Sequence, residues 1–197
     1  MGWQSRLNKP INQYLQNKIN GEPIEIRLAK KRRSKLGDYC KKSHDKHIIS
    51  INEDLSSSSF LLTLCHELAH YFAFQKYGFR IKPHGLEWKK TFRDIFIPLM
   101  PMMNIGHDLK NALHLYMLNP KASSYQSLEL KRLLNCDKDI IYLNDLRVGA
   151  QFELSSGRQF QLLSKKRTRA RCLGLRDKLY YSVHLGAEVM PFPGLHN

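Results

Sequence analysis

The residues with the greatest chemical potential are His66-Glu67-Leu68-Ala69-His70. Two histidines four apart on a helix stack their imidazoles on one face, about a turn apart, so both can reach one metal ion. Glu67 follows the first of them and can face the open side of that metal without becoming a ligand. From there a carboxylate can take a proton from water and later hand it to a leaving amine. Zinc suits such a site because it polarises a carbonyl and brings the pKa of a bound water to about 7. The pattern points to zinc-dependent peptide hydrolysis, with one zinc ion as cofactor, His66 and His70 as ligands and Glu67 as the general base. The plainer reading is a pair of solvated histidines on a helix surface. It fits poorly with Leu68, Ala69, Tyr71 and Phe72 around them, since buried histidines beside a carboxylate need partners.

A catalytic zinc takes three protein ligands and leaves one position open. The metzincin arrangement is excluded, because Lys76 stands where its third histidine belongs and Ala73 where its glycine belongs. The next histidine downstream is His84, in Pro83-His84-Gly85-Leu86-Glu87-Trp88. It opens the next expected helix, after a loop long enough to fold back. His84 is the preferred third ligand, and Glu87 and Asp94 are the carboxylate alternatives. Gly85 permits close backbone approach, and Trp88, one turn on, can wall the site.

Several elements must hold these residues. Ser56 to Ser59 supply N-cap candidates for a helix from Phe60 to Lys76, with Leu61, Leu64, Cys65, Leu68 and Phe72 on its apolar face and Gly78 at its end. Further helices are expected at 11–19, 85–97, 105–118 and 128–134. Residues 23–29 and 46–51 read as strands, with a turn at Gly37-Asp38 between them. The apolar run from Ile95 to Met103 is short and holds two prolines, so it reads as a buried helix end and turn. After Cys136 the pattern changes to strand-like runs at 151–154, 159–163, 169–175 and 179–183, joined by turns. The reading is an α+β chain: a metallopeptidase domain over residues 1–135, then a small, basic, antiparallel β module over 136–197.

At this point a resemblance becomes specific. Cys65-His66-Glu67-Leu68-Ala69-His70, followed by His84-Gly85-Leu86-Glu87-Trp88-Lys89, resembles the SprT-like family, which includes the Spartan proteases. Lys35-Leu36-Gly37-Asp38-Tyr39 before a strand is similar to its bacterial members. The likeness covers about residues 20–100. It implies a zincin-like minimal protease fold, a small sheet plus active-site helices. It also implies His66, His70 and His84 as zinc ligands and Glu67 as the catalytic base. The Spartan branch cleaves proteins crosslinked to DNA in a DNA-dependent way. The chain departs from many members at its end, where Cys136 and Cys172 stand apart, so a four-thiolate zinc ribbon cannot form and the β module takes its place.

The chain carries 32 Lys and Arg against 17 Asp and Glu, a formal charge of +15. That excess predicts attraction to a polyanion. Two runs concentrate it: Lys30-Lys31-Arg32-Arg33-Ser34-Lys35, and Lys165-Lys166-Arg167-Thr168-Arg169-Ala170-Arg171. If Arg167, Arg169 and Arg171 lie in a strand they share one face, and with Tyr180 and Tyr181 nearby that face suits a nucleic-acid backbone and unstacked bases. The plain readings are a charged hairpin edge and a solvated turn. The expected partners are DNA, single-stranded or a disrupted duplex, and a protein substrate with exposed segments, aligned by β-pairing along an edge strand near His47 to Ile51. No stretch approaches the roughly 18 apolar residues of a membrane span, no apolar signal core opens the chain, and its scattered cysteines read as free thiols. A cytoplasmic, nucleoid-associated protein is the expectation. The competing reading is a nucleic-acid-binding module with a structural zinc and no protease activity.

Overall fold

In the computed structural model, described for residues 2–32, 35–43, 46–78, 80–121, 128–135 and 139–192, the chain forms two compact units, Met1–Leu134 and Asn135–Asn197. The first opens with helix α1 (Lys9–Ile19), whose N-cap Asn8 accepts the Ile11 N–H at 3.0 Å. Pro10 sits in its first turn, where a missing N–H costs nothing, and Ile11 and Leu15 are buried.

Three strands follow, β1 (Ile24–Ala29), β2 (Gly37–Ser43) and β3 (Lys46–Asn52). They form a sheet in the order β1-β3-β2, with β1 parallel and β2 antiparallel to β3. β1 shows the expected alternation, Ile24, Ile26 and Leu28 half-buried between exposed Glu25 and Arg27. Two expectations are corrected. Gly37-Asp38 begins a strand instead of making a turn. Its outer half, Lys41 to Ser43, is exposed and polar, so it lacks the alternating apolar residues that mark a half-buried strand. In consequence β3, expected at an edge, is the central strand, with Ile49 and Ile51 fully buried. The edges are β1 and β2.

The link between β1 and β2 carries the first basic run. Arg32 is tied to β3: its Nε donates to Asn52 Oδ1 at 2.8 Å, its Nη1 to Ser50 Oγ at 2.9 Å and its Nη2 to the Ser50 carbonyl at 3.0 Å. The Asn52 amide returns bonds to the carbonyls of Arg32 and Lys35. Lys31 lies 3.6 Å from Asp54 and Lys35 2.9 Å from Asp38. Lys30 is exposed, and Arg33 lies outside the described residues. The Arg32 guanidinium is thus committed to holding the link.

Helix α2 (Ser57–Tyr77) is the axis of this unit. Ser56 caps it by accepting the Ser59 N–H at 3.2 Å. From Ser59 to Ala69 every residue is buried, because the sheet lies on one side and helix α3 (Leu86–Phe96) on another. A 3-10 turn, Ile97–Met102, accommodates Pro98 and Pro101. Helices α4 (His107–Leu118) and α5 (Leu128–Leu134) add Leu113, Met117, Leu130 and Leu134 to the same core. Among the described residues no helix is long and apolar enough to cross a membrane.

The second unit is one antiparallel sheet: β4 (Gln151–Leu154), β5 (Gln159–Lys165), β6 (Arg169–Gly174), β7 (Tyr180–His184) and β8 (Val189–Pro191), in the order β7-β6-β5-β4-β8. The short β8 was not expected. Phe152, Phe160, Leu162, Ala170 and Cys172 form its core. Among the described residues Cys40, Cys65 and Cys172 are free thiols, and Cys136 lies outside them.

Because Arg32 alone supplies three bonds to β3, Arg32→Ala is expected to destabilise the protein by about 1–3 kcal/mol. A lower urea midpoint with an unchanged slope is the readout.

Candidate metal centre and active site

Helix α2 presents His66 and His70 one turn apart, as their spacing requires. The chain then leaves the helix at Gly78 and returns through 80–83 to place His84 against both. The three Nε2 atoms converge: His66 to His70 at 3.3 Å, His70 to His84 at 3.0 Å and His66 to His84 at 3.1 Å.

This geometry is hard to explain without a cation. A neutral imidazole has one donor and one acceptor nitrogen, so three Nε2 atoms facing one another cannot all be satisfied among themselves. Burial and the neighbouring imidazoles hold the rings uncharged: His66 falls to about 3 and His70 to about 4, in each case chiefly through burial, and burial lowers His84 as well. Three neutral imidazole nitrogens at these spacings match the ligand set of a zinc ion with Zn–N bonds of about 2.0–2.1 Å. His66 is buried, and His70 and His84 are half-buried. Glu87 and Asp94 stand outside it, and Asp94 pairs instead with Lys90 at 3.1 Å.

The third histidine depends on an unusual turn. His84 adopts φ of 59°, left-handed for a residue with a side chain, a conformation that costs of order 1–3 kcal/mol and persists only where its surroundings enforce it. Here the Gly85 N–H donates to the Lys82 carbonyl at 2.8 Å, and a Cβ on Gly85 would lie 2.9 Å from that same oxygen. Gly85 is therefore required for close approach. Trp88, 1% exposed, then backs the cluster, its ring 4.7 Å from His66, 5.4 Å from His70 and 4.7 Å from His84. Phe92 stacks behind Trp88 at 5.0 Å.

Glu67 follows His66 on α2 and is not a member of the cluster. Its carboxylate accepts the backbone N–H of Tyr39 on β2. Burial, with Asp38 adding to it, raises its pKa to about 7, against the lowering effects of the Tyr39 bond, Arg32 and Lys35. Gly37 makes this packing possible: a Cβ there would fall 2.8 Å from Glu67 Oε1 and 2.6 Å from Thr63 Cγ2. Sequence reasoning missed Gly37 and Tyr39 as parts of the site, although both lie in the motif that carried the family resemblance.

The model of the SprT-like family matches residues 5–102. Over that span the chain belongs to the SprT-like family. The SprT-like stretch is a metallopeptidase-related domain, and it contains all three convergent histidines. Comparison with curated proteins and with solved structures finds no match.

The second basic run lies in the other unit. Arg169 and Arg171 are exposed on one face of β6, whereas Arg167 precedes the strand, in the turn after β5. Lys166 is exposed in the same turn, and Lys165 Nζ donates to the Asn144 carbonyl at 2.8 Å. Tyr180 is exposed, but Tyr181 turns to the core face and packs on Phe160 at 5.3 Å.

Two outcomes are expected. Gly85→Ala should weaken zinc affinity about tenfold or more, by titration against a chromophoric chelator, with little change in helix content. For the metal-free protein, the unfolded chain takes up imidazole protons below about pH 6.5, while folded His66 and His70 resist until about 3 and 4. Stability is thus full above about pH 6.5 and falls as pH drops toward 4. Glu67 acts in the opposite sense, since its raised pKa favours the folded state below about 7, so Glu67→Gln should steepen the decline seen in urea titrations at successive pH values.

Proposed function

We propose that the chain is a zinc-dependent endopeptidase that acts on DNA-associated or DNA-crosslinked protein. The observation that carries the peptidase part is the convergence of the three Nε2 atoms, with Glu67 next to His66 in the chain but outside the cluster. A closed structural zinc site takes four protein ligands, and among the described residues three gather here.

Bound zinc would supply polarisation of the scissile carbonyl and acidification of water. The chain supplies the proton traffic and the alignment. Glu67 takes a proton from the attacking water as its oxygen adds to the carbonyl carbon, then gives that proton to the amine nitrogen as the C–N bond breaks. The Tyr39 N–H fixes the carboxylate's direction. That same bond leaves β2 on the side away from β3, so the free edge of β2 runs beside the site. An extended substrate segment can pair with that edge by main-chain hydrogen bonds. Such a cleft takes exposed segments with little side-chain selection.

The DNA-linked part is supported by the +15 charge and by the resemblance to the Spartan branch.

The test measures zinc content and cleavage of an unfolded protein with and without single-stranded DNA. Glu67→Gln should keep its zinc and lose at least about 100-fold in rate. Protein that binds no zinc, or equal cleavage by the Glu67→Gln variant, would refute the proposal. Gly37→Ala, by displacing the Glu67 carboxylate, should lower kcat by about 10- to 100-fold with KM and zinc content little changed.

A further inference from the structure

The β module has one face turned to its core and one turned outward, and the outward face has a definite composition. Register aligns its side chains in rows across β5, β6 and β7. Gln161, Leu173 and Tyr180 stand in one row; Ser164, Arg171 and Ser182 in the next; Arg169 and His184 in a third. None of these three strands contains a carboxylate residue.

The cations and the aromatic ring on this face are set in place. The Arg171 guanidinium lies 4.0 Å from the centroid of the Tyr180 ring, which is itself 62% exposed. Arg169 is held by Ser182, donating from Nε to Oγ at 2.8 Å and from Nη2 to the carbonyl at 2.6 Å. The turn carrying exposed Lys166 and Arg167 leads directly into Arg169. The result is an exposed ring with a guanidinium over one face, flanked by a line of positive charge.

We propose that this face binds single-stranded DNA, with unpaired bases stacked on Tyr180 and Arg171 and phosphates running along Arg171, Arg169 and the Lys166-Arg167 turn. The charge requires a polyanion, and the exposed stacking surface selects one with free base faces, because every base offers a π-face once it is unpaired. A duplex hides those faces. Its major groove admits a helix or a two-stranded ribbon, and the short serines between the arginines offer no such projection. The choice of DNA over RNA rests on the function proposed above.

The test uses the full-length chain and a fluorescein-labelled 20-nucleotide oligo(dT), followed by anisotropy. The strand should bind at least about tenfold tighter than a blunt duplex of equal length. Tyr180→Ala should weaken binding about tenfold, and Tyr180→Phe, which keeps the ring, should stay within about twofold of the parent. Arg169→Ala with Arg171→Ala should flatten the plot of log affinity against log salt by about 1.4, two phosphate contacts at about 0.7 each. Equal affinity for duplex, tighter binding of a matching RNA, or insensitivity to Tyr180→Ala and to the arginine pair would each overturn the proposal. Cleavage of a DNA-free unfolded protein separates the two readings. If the arginine variant cleaves normally, Glu67→Gln does not cleave, and no strand binds, the peptidase survives and this surface does not. If the strand binds as expected but cleavage is indifferent to Glu67→Gln, the reverse holds.

Discussion

Three imidazole nitrogens within 3.3 Å of one another are the constraint on which the first unit depends. Each neutral ring carries one proton, so whichever tautomers they adopt at least one pair of the three meets lone pair against lone pair or N–H against N–H. Only a rigid frame, or a cation, keeps them there. The frame is evident in the packing. Helix α2 is enclosed along its middle, Trp88 and Phe92 press from α3, and β3 fills the remaining side with Ile49 and Ile51. Interiors packed at crystal-like density transmit displacement instead of absorbing it, so the imidazole positions are set by the whole core.

The same packing governs the carboxylate. Glu67 lies between α2 and the start of β2, where the absence of a side chain at Gly37 creates its space and the Tyr39 amide sets its direction. Sheet and helix meet at this point, so the edge strand and the Glu67 carboxylate are parts of one arrangement. The link from β1 to β2 is in turn fixed by Arg32, which draws a basic residue into structural duty.

Much of this was legible in the sequence, for identifiable reasons. The helices carry strong 3.6-residue periodicity or clear stops, and α5 emerged at its expected bounds, Leu128–Leu134. His66 and His70 announce themselves by spacing, and His84 by standing before a glycine at a helix start. β2 was missed because half of it faces solvent and it borrows its pairing from β3. The role of Gly37 was hidden because a glycine's meaning lies in what its neighbours would strike. Tyr180 and Tyr181 were read together, although adjacent strand residues face opposite ways. Register resolves them, since Tyr181 stands opposite buried Cys172.

The histidine cluster is unequal in its supports. Two of its imidazoles ride on a 21-residue helix locked into the core. The third sits on a short turn in a left-handed conformation, where the next residue's N–H, that of Gly85, donates to the Lys82 carbonyl. Free energies of local opening are lowest where backbone is exposed and contacts are few, and highest in the core. A metal held here would therefore have its weakest support at the His84 turn: opening of that turn alone would loosen one imidazole while the other two stayed fixed in the core, in position to receive another ion.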